Sequence, residues 1–114
     1  MRILLDECVD ARLRRELPGH EVRTVSYAGW SGVKNGELLR LIAGSGQFDV
    51  FLTMDKNLPR QQQLKALPFA VVILRAASND IDAVRAFLPE FILRLSEFQP
   101  GRLYVLHSSS GKNL

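Results

Sequence analysis

Short apolar runs separated by polar segments recur along the chain, and their lengths predict alternating strands and helices. Residues 3–5 and 70–74 are uninterrupted apolar stretches, and residues 50–54 are apolar apart from Thr53. Runs of this kind predict strands that are buried on both faces, as in a parallel sheet. Two further short strands are predicted at residues 21–25 and 103–106.

The segments between these strands carry apolar residues at helical spacing. The stripe of the first helix, in residues 9–17, consists of Val9, Leu13 and Leu17. A second helix is predicted after Asn35, a good N-cap residue, and it ends at the glycines of residues 44–46. The longest stripe runs through residues 81–98, and Pro89 inside it predicts a kink or a split.

The predicted order of elements is β-α-β-α-β-β-α-β, which is typical of a parallel sheet with helices on both faces. We therefore predict one α/β domain in residues 1–106, with three α/β/α layers around a mostly parallel sheet of about five strands. Residues 107–114 are polar and are predicted to form a flexible C-terminal tail.

Composition agrees with one small globular domain and adds little about partners. The chain has 114 residues, of which 46% are hydrophobic and 24% charged, and its net charge of +3 mildly favours a polyanionic partner. One cysteine excludes an internal disulfide, so a reducing cytoplasm is the expected compartment. No apolar run is long enough to span a membrane, and the apolar start is too short for a signal peptide.

Acidic residues follow two of the predicted strands. Asp6 and Glu7 come directly after the first strand, and Asp55 follows the third. If these strands are neighbours, the acids meet at a switch point of the sheet, where open α/β sheets bind ligands. Carboxylates brought together repel each other unless a cation pairs with them, and oxygen ligands favour Mg²⁺ or Mn²⁺. The predicted metal ligands are therefore Asp6, Glu7 and Asp55, with amide oxygens from Asn35 and Asn57.

A purely structural interpretation of the acids remains open. Asp6 could cap the helix at Val9, and Asp55 could form an Asx turn. For either acid alone we favour this interpretation. For the pair we favour a functional site, because ligand-binding groups gather at this edge of a parallel sheet.

Three stretches resemble the short PIN-like domains, which are related to the PIN-domain ribonuclease toxins of bacterial toxin–antitoxin pairs. They are Arg2-Ile3-Leu4-Leu5-Asp6-Glu7, Gly19-His20-Glu21-Val22 and Leu52-Thr53-Met54-Asp55-Lys56-Asn57. The resemblance covers residues 1–106. It implies a compact PIN-like sheet, a Mg²⁺-dependent nuclease site, an RNA substrate and an antitoxin partner. Asp6 matches the first acid of the family, and Asp55 matches the acid of its Thr-x-Asp motif.

The chain departs from the family pattern at two positions that are usually acidic. Asn35 stands where the family has an Asp at the start of a helix, and Asn57 stands two residues after the motif's Asp. Glu37 is one turn along from Asn35 and is a candidate third catalytic carboxylate beside Asp6 and Asp55. Fewer acids imply either a weak nuclease or a PIN-like subunit that binds a partner or RNA without cleaving it.

Basic and aromatic residues offer candidate contacts with RNA. Lys34 and Lys56 lie closest in sequence to the acids, and Arg12 and Arg60 could extend a surface that follows phosphates. The alternative is an ordinary solvated surface. Trp30 could stack on a base or cover the core.

Two further interpretations concern other classes of function. The acids after the first and third strands also resemble the pocket of a phospho-receiver domain, with Asp55 as the acceptor. Such domains place a Lys after the fifth strand, and this chain has Leu106-His107-Ser108 there. The apolar stripe of the longest predicted helix is expected to be mainly core, and a part of it near Phe91 and Phe98 is a candidate surface for a homodimer or for the antitoxin.

Overall fold

The computed structural model describes residues 1–56 and 64–107 of the chain. Five strands occur in these residues: β1 (Arg2–Leu5), β2 (Glu21–Thr24), β3 (Val50–Thr53), β4 (Ala70–Arg75) and β5 (Leu103–His107). They form one sheet in the order β2-β1-β3-β4-β5, and every neighbouring pair is parallel. The predicted α/β class and five-stranded parallel sheet are confirmed.

Helical segments in the described residues follow β1, β2 and β4. They are η1 (Ala11–Glu16, 3-10), α1 (Asn35–Ser45), α2 (Ile81–Arg85), α3 (Leu88–Arg94) and η2 (Leu95–Glu97, 3-10). The prediction of a regular helix at residues 9–17 was wrong. Asp10 caps a 3-10 helix instead, because its side chain accepts from the Arg12 N–H and its carbonyl accepts from the Leu13 N–H. The apolar stripe is nevertheless buried as its spacing indicated.

Pro89 splits the last helical region, as predicted. Helix α2 ends at Arg85 and α3 begins at Leu88, so Pro89 lies in the first turn of α3. A proline there costs no hydrogen bond, because the first N–H groups of a helix have no intrahelical acceptor.

Alternate residues of the strands belong to two separate core clusters. Ile3, Leu5 and Leu52 lie in the cluster that contains the buried face of α3. Leu4 and Phe51 lie in the cluster that contains the buried side chains of α1. The residues on both faces of β1 and β3 are almost fully buried, and these strands are therefore continuous apolar runs in the sequence.

The sheet has its switch point between β1 and β3. From β1 the chain moves outward to β2, and it then returns to the other side of β1 to form β3. The strands that follow β1 and β3 along the chain, β2 and β4, therefore lie on opposite sides of this pair, an arrangement that opens a crevice beyond the carboxyl ends of β1 and β3. Asp6 and Asp55 follow these two strands.

The C-terminal boundary differs from the prediction by one residue. His107 was assigned to the tail, but it is the last residue of β5 and pairs with Arg75. Residues 108–114 lie outside the described part of the chain. Across residues 1–56 and 64–107, no helix has the length and apolar character needed to cross a membrane.

Gly101 occupies a backbone position that should not accept a side chain. Its φ is +77°, and an added Cβ would lie 2.5 Å from the Lys65 carbonyl oxygen. We expect Gly101→Ala to lower the free energy of unfolding by about 2 kcal/mol, since the left-handed conformation and the backbone overlap both oppose alanine. Gly19→Ala is the matched control: its φ is +86°, but no described atom lies within 4 Å of the added Cβ. If urea titrations show equal losses of unfolding free energy for the two variants, the overlap with the Lys65 carbonyl does not contribute to the loss.

Candidate functional site

Asp6 and Asp55 line one cavity at the carboxyl end of the sheet. The cavity has a volume of about 430 Å³, and its walls include Asp6, Glu7, Cys8, Lys34, Asn35 and Asp55. The Asp6 N–H donates to the Leu52 carbonyl at 2.9 Å, which extends the pairing of β1 and β3 as far as the acid. The prediction that the two acidic strands are neighbours is confirmed.

Thr53 connects the two acidic segments. Its side chain is fully buried, and its hydroxyl donates to Asp6 Oδ2 at 2.6 Å while accepting from the Asp55 N–H at 3.1 Å. One hydroxyl therefore fixes the Asp6 carboxylate and the start of the Asp55 loop together. Thr53 belongs to the Thr-x-Asp motif, but the sequence did not predict this role for it. The available signal was that Thr53 is the one polar residue in the run 50–54.

The Asp6 carboxylate is held on both sides. Asp6 is 9% exposed, and its Oδ1 accepts from the Glu7 N–H at 2.8 Å. The Cys8 thiol lies 3.7 Å from Asp6 Oδ2 and accepts from the Met54 N–H at 3.4 Å. Burial raises the pKa of Cys8, so its sulfur is a neutral packed thiol near neutral pH.

Asn35 supports the second acid. Its amide nitrogen donates to Asp55 Oδ2 at 2.7 Å, across from α1 to the end of β3. The prediction that Asn35 caps α1 was wrong: Lys34 occupies the N-cap position without a side-chain hydrogen bond, and Asn35 is the first helical residue. The amide group of Asn35 contacts Asp55. Lys34 lies beside it on the cavity wall.

Glu7 lines the cavity, but both of its carboxylate oxygens bind the loop between β2 and α1. Oε2 accepts from the Ser31 hydroxyl at 2.7 Å, and Oε1 accepts from the Gly32 N–H at 2.9 Å. The Ser31 hydrogen bond, with a second contribution from Gly32, lowers the pKa of Glu7 from its ordinary value of 4.5. Glu7 therefore tethers this loop, a role that the sequence did not predict.

The hydrogen bonds from Ser31 and Gly32 to Glu7 should be lost at low pH. Because the contacts favour ionised Glu7, their stabilisation is complete above pH 4.5 and is lost as the pH falls through the lowered native pKa. We expect the amide resonance of Gly32, followed by NMR, to titrate with a midpoint below 4.5. Glu7→Gln is the control and should abolish that titration. A Gly32 midpoint at or above the ordinary Glu value would contradict the tether.

The remaining predicted site residues are not among the described residues that line the acidic cavity. Glu37 is exposed in the first turn of α1 and is not among the residues that line the cavity. Lys56 is exposed directly after Asp55. Asn57 and Arg60 lie outside the described residues, so their predicted roles stay predictions.

Arg12 is engaged in a local ion pair. Its guanidinium donates twice to Asp10, at 3.0 Å and 2.7 Å. Hydrogen bonds from this side chain, first among several causes, lower the pKa of Asp10 to about 2. Arg12 therefore helps to hold the N-cap residue Asp10 at the start of η1. It does not line the acidic cavity.

Two aromatic predictions can be compared with the structure. Trp30 is half-buried and packs edge-on against Phe48, with ring centroids 6.3 Å apart, which agrees with a role in covering the core. Phe91 and Phe98 are buried, which agrees with the prediction that their stripe is mainly core, and the partner surface predicted near them stays a prediction. The exposed apolar side chains of α3 are Ile92 and Leu93.

Four of the five predicted metal ligands line the acidic cavity, namely Asp6, Glu7, Asn35 and Asp55, and the fifth, Asn57, lies outside the described residues. Within residues 1–56 and 64–107, no group of three His, Cys, Asp or Glu side chains is arranged to hold a metal ion. Mg²⁺ is often bound through one or two carboxylates, with water and substrate phosphate completing its shell. Asp6 and Asp55, which share the cavity, meet that requirement.

The fold and site together define a small α/β domain with an acidic cavity at the switch point of an all-parallel sheet. Comparison with protein-family models, curated proteins and solved structures gives no match to this chain. The resemblance to PIN-like domains therefore stays a prediction from the residues that carry it.

Proposed function

We propose that this protein is a Mg²⁺- or Mn²⁺-dependent ribonuclease that hydrolyses RNA phosphodiesters at the cavity between Asp6 and Asp55. The observation that carries the proposal is that these carboxylates follow adjacent parallel strands and line the same cavity. The PIN-like resemblance of the surrounding residues supports RNA as the substrate. It also supports a role as the toxin of a bacterial toxin–antitoxin pair, with an antitoxin as protein partner.

Each group in the cavity has a distinct task in this proposal. Asp6 and Asp55 would hold the metal, which when bound polarises the phosphodiester and lowers the pKa of a coordinated water. Thr53 keeps the Asp6 carboxylate in position, and Asn35 does the same for Asp55. Lys34 contributes positive charge on the cavity wall, where a substrate phosphate would enter.

A second candidate function is binding without catalysis. Two observations favour it: the Glu7 carboxylate is occupied by Ser31 and Gly32, and an amide at Asn35 stands where the related domains have an acid. Such a subunit would bind RNA, an antitoxin or a second copy of itself. The phospho-receiver interpretation is less well supported, because the sequence has no Lys directly after Leu106.

Both candidates fit a reducing cytoplasm, which the single cysteine supports. The deciding experiment incubates purified protein with structured and single-stranded RNA in Mg²⁺, Mn²⁺ or EDTA. Metal-dependent cleavage supports the nuclease. RNA or partner binding without cleavage under every condition contradicts the nuclease and favours the binding subunit.

A further inference from the structure

An exposed tyrosine and an arginine form a second surface beyond the acidic cavity. Tyr27 is 69% exposed, and the Arg23 guanidinium lies 5.2 Å from the centroid of its ring. The Tyr27 N–H donates to the Thr24 hydroxyl at 3.0 Å, which fixes the backbone of Tyr27 directly after β2. An aromatic ring that is held in place but open to solvent can stack on a planar ligand at low entropic cost.

Tyr27 and Arg23 belong to the wall of a recess of about 220 Å³. Arg14 lies on the same wall, so two arginines line the recess beside one aromatic residue. The carboxylate of Glu21 also lines it, at 3.9 Å from Arg23, but both side chains are well exposed and such a pair is weak in water. We define Arg14, Arg23 and Tyr27 as the tyrosine patch.

A third recess lies between the acidic cavity and the end of β2. Asp6 and Glu7 line both the acidic cavity and this recess, whose other walls include Thr24, Ser26 and Asp10, the last paired with Arg12. Tyr27 follows Ser26 directly and is hydrogen-bonded to Thr24. An extended ligand that occupies the acidic cavity can therefore continue over the end of β2 to Tyr27.

We propose that the tyrosine patch binds one base and the adjoining phosphate of a single-stranded RNA, as a subsite beside the acidic cavity. Aromatic stacking tolerates any base, and an arginine beside the ring adds cation–π attraction and a phosphate contact. We do not assign a phosphate contact to Arg12, because its guanidinium is paired with Asp10. The placement of the strand rests on the proposed nuclease function, but the binding itself needs neither metal nor cleavage.

Binding is tested by fluorescence anisotropy with a labelled eight-nucleotide single-stranded RNA in EDTA. Tyr27→Ala should raise Kd on the order of tenfold, and Tyr27→Phe, which keeps the ring, should stay within about twofold. Arg23→Gln should lower the slope of log Kd against log salt by about 0.7. Arg102→Gln is the matched control, because Arg102 is exposed immediately before β5, at the opposite edge of the sheet, and should leave the slope unchanged.

The outcomes separate this proposal from the nuclease. Tyr27-dependent binding in EDTA without cleavage in any metal supports the patch and contradicts the nuclease. Cleavage that depends on Asp6 and Asp55, with unchanged affinity in Tyr27→Ala, overturns the patch alone. Absence of RNA binding by the unmodified protein, with Tyr27-dependent binding of an oligoglutamate peptide, overturns it in favour of an acidic protein partner. Circular dichroism melts of each variant exclude unfolding as the cause.

Discussion

Replacing Asp6 or Asp55 by asparagine should lower metal-dependent RNA cleavage by about a hundredfold or more. Each substitution keeps the shape of the side chain and removes one charge from the acidic cavity. A metal ion contributes several kcal/mol to stabilising charge at a phosphoryl centre, and about 2.7 kcal/mol corresponds to a hundredfold in rate. The measurement is the initial rate of cleavage of a labelled RNA in saturating Mg²⁺ or Mn²⁺.

Two further variants make this test specific. Asp82→Asn removes a carboxylate that is 89% exposed on α2 and paired with Arg85, and it should cleave at the unmodified rate. Glu37→Gln examines the third predicted catalytic acid, which lies outside the cavity wall. If Glu37→Gln cleaves normally, the site works with two carboxylates. Cleavage that continues unchanged in both Asp6→Asn and Asp55→Asn would rule out this cavity as the active site.

Binding of Mn²⁺ gives a readout that does not need substrate. Isothermal titration with the unmodified protein should show a weak site, since two carboxylates supply few protein ligands. Asp6→Asn and Asp55→Asn should each weaken it, whereas Asp82→Asn should not. Metal binding without cleavage would support the metal site at Asp6 and Asp55 and contradict the proposed hydrolysis of RNA.

The α/β class could be predicted from sequence, because alternating strands and helices indicate a parallel sheet with crossovers. That alternation does not say which strands are neighbours. The adjacency of β1 and β3 was inferred only on the condition that Asp6 and Asp55 meet, since both strands are apolar runs that end in an acid. The sheet order, with β2 and β3 on opposite sides of β1, is a finding of the structure.

The partners of the site residues were not accessible, because they are distant in the chain. Asn35 donates to Asp55 twenty residues away, and Glu7 binds Ser31 and Gly32, which are 24 and 25 residues away. Local rules predicted an N-cap at Asn35, and metal ligation was predicted for both residues. The hydrogen bonds that they form are tertiary contacts, which no local pattern encodes.

Short helices were also mispredicted in type or in exposed face. Val9, Leu13 and Leu17 are all buried, but only Leu13 lies within η1, because Val9 precedes this helix and Leu17 follows it. The buried face of α3 includes Phe91 and continues to Leu95 in η2, so Ile92, which also fits an apolar stripe, lies outside the core. The periodicity of apolar residues predicts which side of a helix is buried. Only tertiary packing determines which residues at the edge of that side remain exposed.

Thr53→Val should lower the free energy of unfolding by about 2–3 kcal/mol, although it preserves the volume and β-branching of the side chain. The hydroxyl is buried and bonds the Asp6 carboxylate, and hydrogen bonds to charged groups contribute about 1.5–3 kcal/mol. The same change leaves the Asp55 N–H without its acceptor on Thr53. Because both acids lose their common anchor, cleavage should also fall, on the order of tenfold.

Thr53→Ser separates the hydrogen bonds from packing. Serine keeps the hydroxyl and loses one buried methyl group, which costs about 1 kcal/mol. If the hydroxyl positions the acids, the serine variant is more stable and more active than the valine variant. If Thr53 serves only to fill the core, the order reverses, since valine fills the site and serine leaves a void. Urea unfolding and cleavage rates of the two variants therefore decide whether Thr53 is a positioning residue, and the reversed order would exclude that role.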